Sequence, residues 1–308
     1  MKSILVTPRS VTRNGHPSLK KLKDAGYEVI LSKPGSLPGE SDLVELLHGC
    51  VGYIAGVEPV SAAVLEGAKD LRAISRNGTG ADAIDLAAAE RLGIRVLRAH
   101  GTNARGVAEL TMALVLALAR AIPATDRSLK SGNWERHPGI ELDGKTLGLV
   151  GCGKIGRLVT GFATAFGMRV LAFDPVPDWE DAPAGFCYTD LPGVYREADI
   201  LSLHCPPPPG RKALLDAEGL SSLKKGVRLI NTARAGLIDS DALLAALASG
   251  HVAGVGLDVF KEEPPADRRL LEHPLVIATP HIGGYTPESI DRAMNQAVDN
   301  LLDVLKSA

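Results

Sequence analysis

Residues 146–156 read TLGLVGCGKIG, a short apolar run that leads into a GxGxxG pattern at Gly151, Gly153 and Gly156. This order of residues predicts a strand, a glycine turn and the start of a helix. Glycines allow a tight turn there and let backbone N–H groups approach a pyrophosphate at the helix N-terminus. A second apolar run, RVLAFD, ends at Asp174, 18 residues past the last glycine. The stretch therefore predicts a dinucleotide site, with a ligand-free tight turn as the alternative.

Asp174 indicates which dinucleotide is bound. A carboxylate at this position accepts hydrogen bonds from ribose hydroxyls and repels a 2′-phosphate. The sequence therefore predicts NAD rather than NADP.

Three further apolar runs in the second half of the chain stop at reactive side chains. VRLINTAR ends at Arg234, VAGVGLDVF leads to Asp258 and then Glu263, and LVIATPH ends at His281. In an open parallel α/β sheet, ligands bind beyond the carboxyl ends of the strands. We therefore expect these residues and the glycine loop to share one cleft.

Strand and helix patterns alternate along the whole chain, as in SILVTP, HPSLKKLKDAG and YEVILS near its start. This alternation predicts α/β architecture with two doubly wound parallel sheets. The pattern changes after His100, where residues 103–122 read as one long apolar helix. A second alternating unit begins at Lys145, and an amphipathic helix follows Pro287.

The composition is that of an ordinary globular protein. The chain has 308 residues, enough for two domains, with 45% hydrophobic and 23% charged residues and a net charge of −2. This charge argues against long-range attraction to nucleic acid or an anionic membrane. The four cysteines form no CxxC pair, so we expect reduced thiols and no metal site. No targeting segment is visible in the sequence, so we expect a cytoplasmic location.

Arg234, Glu263 and His281 have the chemistry for oxidising a 2-hydroxy acid. A guanidinium can hold a carboxylate by two parallel hydrogen bonds. An imidazole accepts a hydroxyl proton near neutral pH, and a carboxylate beside it stabilises the imidazolium. Each residue also has a structural interpretation: a surface ion pair, a solvated loop charge or a hydrogen-bonded histidine at a strand end.

Several motifs resemble the D-isomer-specific 2-hydroxyacid dehydrogenase family. NTARAGLID, GLDVFKEEPP and TPHIGG look like three signatures of that family, and Glu263 and His281 lie 29 and 47 residues after Arg234. NGTGADAIDLAAAERLGIRV and NARGVAELTMALVLALAR also match. The resemblance covers nearly the whole chain and is strongest to the phosphoglycerate dehydrogenase branch, in a short form without a regulatory domain.

The resemblance implies roles for individual residues. Arg234 would bind the substrate carboxylate, His281 would be the acid/base and Glu263 would support it. Besides the three motif glycines and Asp174, the residues implied to line NAD are Lys154, Ile155, Cys205, Thr232, Ala233, Asp258, Gly283 and Thr79.

The family's domain organisation is also implied. A Rossmann NAD-binding domain, residues 101–282, would be inserted into a flavodoxin-like substrate domain formed by residues 1–100 and 283–308. The segment LKSGNWERHP resembles the arm that builds the family's homodimer, with Trp134 as an anchor.

Substrate choice would depend on two strand-end loops of the first domain. Gly56, Val57, Asn77 and Gly78 would offer backbone N–H groups to the carboxylate, and Arg76 would lie near a phosphate. Phosphoglycerate enzymes often carry an arginine in the first loop, whereas this chain reads IAGVEPV with the acidic Glu58. That departure argues against a phosphorylated ligand.

The resemblance therefore predicts an NAD-dependent 2-hydroxyacid dehydrogenase of the phosphoglycerate type, which would serve serine biosynthesis. A glyoxylate or hydroxypyruvate reductase is the first alternative, because it needs the same catalytic residues. A binding protein that senses NAD(H) on the same fold is a remote one.

Overall fold

Both sheets of the computed structural model, which describes residues 2–208, 210 and 213–306, are fully parallel. The chain divides into two compact units, Met1–Asn103 with Tyr285–Ala308, and Ala104–Gly284. The predicted breaks at residues 100 and 282 lie three and two residues from these bounds. Residues 1, 307 and 308 of the predicted substrate domain lie outside the described residues.

The first unit has a five-stranded sheet in the order β2-β1-β3-β4-β5. Its strands are β1 (Ser3–Val6), β2 (Glu28–Leu31), β3 (Cys50–Ala55), β4 (Ala73–Arg76) and β5 (Arg95–Arg98). Its helices are α1 (Arg9–Asn14), α2 (Leu19–Asp24), α3 (Glu40–Leu46), α4 (Ala62–Gly67), α5 (Leu86–Arg91) and the C-terminal helix Pro287–Lys306. This strand order is flavodoxin-like, which confirms the predicted fold class for this unit.

Side chains of the first sheet alternate between two apolar layers. Leu5 and Tyr53 pack with α4 and α5, whereas Ile4 and Ile54 pack on the other face with the C-terminal helix. Successive strand residues point to opposite faces, so a strand buried on both sides is apolar throughout. The C-terminal helix thus completes the core of the first unit.

The second unit has a seven-stranded sheet in the order β12-β11-β10-β9-β6-β7-β8. Its strands are β6 (Thr146–Val150), β7 (Arg169–Phe173), β8 (Phe186–Tyr188), β9 (Ile200–Leu203), β10 (Val227–Asn231), β11 (Val252–Leu257) and β12 (Val276–Ala278). Its helices are α6 (Ala104–Ala119), α7 (Ile122–Lys130), α8 (Lys154–Ala165), α9 (Leu191–Glu197), α10 (Ala217–Ser221), α11 (Ser240–Ala248) and α12 (Arg269–Glu272). The strand order reverses between β6 and β9, as it does in Rossmann folds.

Two local features differ from the sequence prediction. The helix predicted over residues 103–122 ends at Ala119, and Ala121 adopts a left-handed φ of 50° before α7 begins. Pro123 explains the break, because a proline cannot continue a preceding helix. The short strand β8 was not predicted, since its three residues pair only with β7 at the sheet edge and show no clear period.

Among the described residues, no single helix has the length and apolarity of a membrane span. Only α6 and α7 taken together, which are bent by 61°, meet that test of length and composition.

Candidate active site

The reactive residues of the second unit follow the carboxyl ends of its parallel strands. Arg234 lies three residues beyond β10, Asp258 directly follows β11, and His281 lies three residues beyond β12. These strands are neighbours in the sheet. Gly151 follows β6, which pairs with β9 at the point where the strand order reverses. Because parallel strands end at the same edge, the sheet carries all four segments on one side.

The glycine loop requires its first and third glycines for steric reasons. Gly151 has a φ of 95°, and a Cβ added there would lie 2.6 Å from the carbonyl oxygen of His204. A Cβ at Gly156 would lie 2.6 Å from the carbonyl oxygen of Gly151. These close approaches hold β6, α8 and the end of β9 together, and any other residue would push them apart.

Gly153 provides space for a ligand. A Cβ at this position would meet nothing within 4 Å, and Gly153 is the N-cap of α8 without a side chain to cap it. The first N–H groups of a helix have no partner within the helix and favour an anion. Lys154 and Ile155 are the first two residues of this helix. The open space at Gly153 and the N–H groups at the helix start together fit the pyrophosphate of NAD.

Asp174 connects the glycine loop to the end of β7. Its Oδ2 accepts the backbone N–H of Cys152 at 2.7 Å, and its Oδ1 accepts that of Val176 at 3.0 Å. A carboxylate can accept about four hydrogen bonds, so each oxygen of Asp174 can still accept a hydrogen bond from a hydroxyl group. Beside it, Arg157 bonds to Asp178, and its guanidinium carbon lies 5.3 Å from the centre of the Trp179 ring.

The thiols and the imidazole near the loop are neutral. Burial raises the pKa of Cys152, and it raises the pKa of Cys205 to about 11. Burial lowers the pKa of His204 to about 4, and its Nε2 lies 2.9 Å from the Ser202 hydroxyl. At neutral pH these groups carry no charge, so they neither attract nor repel a phosphate.

His281 and Glu263 form a direct pair. His281 Nδ1 lies 2.7 Å and 3.0 Å from the two carboxylate oxygens of Glu263, and the backbone N–H of Phe260 donates to the same carboxylate at 3.2 Å. An ionised carboxylate only accepts hydrogen bonds, so Nδ1 carries the proton and Nε2 is left for a substrate. His281 has a left-handed φ of 53°, a conformation that is uncommon and strained for a residue other than glycine.

The buried Asp258 holds the segment that carries His281. It is 1% exposed, and its carboxylate accepts the Thr279 hydroxyl at 2.6 Å and the N–H groups of Ile282 and Gly283, each at 2.8 Å. These bonds lie on both sides of His281 and stabilise its backbone conformation. A Cβ at Gly283 would lie 3.2 Å from Val107 at the start of α6, so the two ends of this unit meet here.

Asn231 plays the corresponding part for Arg234. Its Nδ2 donates to the carbonyl oxygen of Arg234 at 2.9 Å, and its Oδ1 accepts the N–H of Ala233 at 3.1 Å. Asn231 is 1% exposed and therefore fixes the turn from inside the fold. The Arg234 Nη1 donates to the carbonyl oxygen of Ala233 at 2.8 Å, and the hydroxyl of Thr232 bonds to Thr111 on α6 at 3.1 Å.

In the first unit, the loop after β3 is closed by its own carboxylate. Glu58 is 1% exposed and accepts the N–H of Gly56 at 2.8 Å, while Gly56 also donates to the Thr7 hydroxyl at 3.1 Å. The predicted substrate N–H of Gly56 is thus used within the loop. Val57 is 48% exposed.

The loop after β4 contains the other predicted substrate residues. Arg76 Nη1 donates to the carbonyl oxygen of Asn77 at 2.5 Å, and Gly78 has a φ of 150°. Thr79, predicted to contact NAD, donates its hydroxyl to Asn103 at 3.2 Å and accepts the N–H of Gly101 at 3.3 Å, all within this unit.

Asn231 was not predicted from the sequence, and Asp258 was predicted to line the cofactor, whereas its carboxylate bonds to Thr279, Ile282 and Gly283 of its own unit. A signal for Asn231 is present, since a polar residue that ends a buried strand directly before a reactive residue often fixes the following turn. Among the described residues, no group of three or more His, Cys, Asp or Glu side chains could hold a metal ion.

Comparisons with known proteins all point to one family. The model of the D-isomer specific 2-hydroxyacid dehydrogenase NAD binding domain matches residues 112–283. Human D-3-phosphoglycerate dehydrogenase is 40% identical over 291 residues, which cover 93% of this chain and 54% of that protein. The chain thus spans about half the length of the curated phosphoglycerate dehydrogenases that it matches.

Two other relatives match over most of their own length. Hydroxypyruvate reductase of Thermotoga maritima is 43% identical over 251 residues, 80% of this chain and 81% of that protein. The crystal structure of the TT0316 protein from Thermus thermophilus has a TM-score of 0.88 at 38% identity and covers 99% of this chain and 97% of its own.

Proposed function

This chain belongs to the D-isomer specific 2-hydroxyacid dehydrogenase family, and from this premise we propose that it transfers a hydride between NAD and C2 of a small 2-hydroxy acid. The observation that carries the proposal is the His281–Glu263 pair, which leaves Nε2 as a proton acceptor. His281 follows β12, and β12 lies one strand from β11 and two strands from β10, the strand that leads to Arg234.

The roles follow from the chemistry of each side chain. The Arg234 guanidinium binds the acid carboxylate, and the Nε2 of His281 takes the hydroxyl proton during oxidation. Glu263 stabilises the resulting imidazolium, and in reduction His281 returns the proton to the carbonyl oxygen. NAD, when bound, supplies the hydride acceptor, and the first turn of α8 with Asp174 would hold it.

A panel of 2-keto acids tests the proposal. We expect the protein to oxidise NADH in the presence of at least one of four acids: pyruvate, glyoxylate, hydroxypyruvate and 3-phosphohydroxypyruvate. The loss of NADH absorbance at 340 nm measures the reaction. Tight NADH binding without turnover of any keto acid would contradict an enzymatic function and favour an NAD(H) sensor.

Two substrate classes are supported by relatives. The phosphoglycerate dehydrogenases suggest a phosphorylated 2-hydroxy acid, which would connect this chain to serine biosynthesis. The hydroxypyruvate reductase suggests an unphosphorylated acid, and it matches over a larger part of its own length. The acidic Glu58 at the first unit's strand ends favours the second class.

We also propose that the protein is a cytoplasmic homodimer. The side chains of Ile122, Leu129 and Trp134 are 52%, 58% and 83% exposed, which is unusual for large apolar groups in one short segment and suits a dimer interface. The cytoplasmic location is supported separately, because the four free cysteines suit a reducing compartment. Sedimentation equilibrium tests the dimer, and a mass of one chain at micromolar concentration would contradict it.

Replacing Asp174 by alanine should weaken NAD binding and its preference over NADP. The change removes the carboxylate expected to accept the ribose hydroxyls, at a cost of about tenfold to a hundredfold in Kd for NAD. Fluorescence titration with NADH and NADPH measures both affinities. Asp178→Asn is the matched control, because Asp178 bonds to Arg157 in the same turn. An unchanged Kd for NADH in Asp174→Ala would show that the ribose assignment is incorrect.

A further inference from the structure

An arginine and two carboxylates surround Cys152 in the glycine loop of the second unit. The carbonyl oxygen of Cys152 accepts a hydrogen bond from Arg157 Nε at 3.3 Å, and the N–H of the same residue donates to Asp174 at 2.7 Å. Arg157 also bonds to Asp178 through its Nη2. The guanidinium therefore lies one residue's width from the carboxylate that is expected to receive the ribose of NAD.

The Arg157 side chain is braced from several sides and is 35% exposed. In addition to Asp178 and the Cys152 carbonyl, it meets the ring of Trp179, whose centre lies 5.3 Å from the guanidinium carbon. The Trp179 ring in turn packs against Phe186, with 5.1 Å between the ring centres. A guanidinium held in this way presents a planar set of donors, which suits two parallel hydrogen bonds to a phosphate.

Asp178 is a partner of Arg157 that a stronger anion can replace. Its side chain is 67% exposed, and exposed ion pairs contribute little free energy because water and salt screen them. A phosphate monoester carries about two negative charges near neutral pH and three strong acceptor oxygens. A phosphate placed beside Arg157 would therefore compete with Asp178 for the guanidinium.

Asp174 opposes the approach of such a phosphate. NADP differs from NAD by a phosphate on the 2′-hydroxyl of the adenosine ribose, and a carboxylate that accepts the ribose hydroxyls stands next to that position. Like charges brought together are a common source of specificity. This edge of the sheet thus combines a carboxylate that repels a 2′-phosphate with an arginine that has the chemistry to bind one.

From these contacts, and resting on the proposed function for the placement of the ribose at Asp174, we propose that Arg157 is a second determinant of dinucleotide specificity. It is a binding group for a 2′-phosphate that Asp174 keeps out, and Asp178 occupies it when that phosphate is absent. Removal of the Asp174 charge then gives the protein affinity for NADP through a residue that the chain already has.

Fluorescence titration with NADH and NADPH tests the inference through one ratio, the Kd for NADPH divided by the Kd for NADH. The starting variant is Asp174→Asn, which removes the charge but keeps an acceptor for the Cys152 N–H, and Asp174→Ala takes its place if the first does not fold. The starting variant should have a lower ratio than the wild type. Binding is measured without a keto acid, so the result does not depend on turnover.

Adding Arg157→Gln to the starting variant should raise the ratio about tenfold or more, because charge-assisted hydrogen bonds to the 2′-phosphate are lost. Adding Arg157→Lys instead keeps the charge but not the parallel donors, so the ratio should rise less. Adding Asp178→Asn removes the competitor for Arg157 and should lower the ratio about threefold. In the wild type Asp178→Asn should change neither Kd by more than about twofold, since Asp174 still repels the phosphate.

Arg169→Gln is the matched control in the same starting variant. Arg169 begins β7, the strand that Asp174 follows, and it is 51% exposed and paired with Glu197. The control removes an equal charge at the other end of the strand and should leave the ratio within about twofold.

The inference is overturned if Arg157→Gln leaves the ratio unchanged, including the case in which both Kd values rise by the same factor. It is also overturned if the starting variant has the ratio of the wild type, because no ribose then lies at Asp174. Failure of the proposed function has a different signature, namely the expected ratios without NADH oxidation by any keto acid.

Discussion

His281→Ala should lower kcat by about 10²–10⁴-fold and leave the Kd for NADH nearly unchanged. The reason is geometric, since the Glu263 carboxylate engages Nδ1 and leaves Nε2 as the base. An alanine removes the proton acceptor without touching the glycine loop, which lies on the other side of the sheet's strand reversal. Stopped-flow measurement of NADH oxidation with the best keto acid, together with fluorescence titration of NADH, separates the two quantities.

Glu263→Gln serves as the companion variant for His281. An amide can still orient the ring, but it offers no negative charge to the imidazolium, so kcat should fall by less than in His281→Ala. The assignment of the base is wrong if His281→Ala retains more than about a tenth of the wild-type kcat.

Arg234→Ala should raise the KM for the acid by about 100-fold, because two charge-assisted hydrogen bonds to the carboxylate are lost. The Kd for NADH should stay within about twofold, since the glycine loop and Asp174, which are expected to hold most of NAD, follow other strands of the sheet. Arg234→Lys keeps the charge but not the parallel pair of donors. Its KM should lie between the KM of the wild type and that of Arg234→Ala. A KM that is unchanged in Arg234→Ala, with only kcat reduced, would remove Arg234 from carboxylate binding.

Asn231→Ser distinguishes positioning of Arg234 from its presence. The shorter side chain cannot span both the Arg234 carbonyl and the Ala233 N–H, so the turn is no longer fixed. We expect a smaller rise in KM than in Arg234→Ala, with a loss of stability of about 1–3 kcal/mol. Thermal unfolding measures the second effect. A stability loss without any change in KM would indicate that Asn231 is only structural.

The fold could be predicted from the sequence because its signals are local. Apolar runs such as TLGLV and VRLIN are buried on both faces of a parallel sheet. Parallel strands with helical crossovers leave few possible topologies. The edge strand β8 and the break at Ala121 were missed, because a three-residue strand has no pattern and the break depends on a single proline.

The candidate site was predictable where chemistry coincides with a strand end. Arg234, His281 and the glycine loop follow apolar runs directly, so their common edge could be inferred. The inward-facing roles of Asp258 and Glu58 could not, because a sequence does not show whether a carboxylate turns toward a ligand or back onto its own N–H groups. That choice depends on where the folded chain places backbone N–H donors, two residues away in sequence at Gly56 and 25 residues away at Gly283.

The closeness of Gly283 to Val107 has a consequence for exchanging this part of the chain between proteins. Because the polypeptide enters and leaves the Ala104–Gly284 body at one spot, that body can be transplanted as a cassette without stretching its connections. A short bridge from Asn103 to Tyr285 would then join the remaining pieces, and exchange of such cassettes between relatives could give hybrid enzymes with new pairs of cofactor and acid.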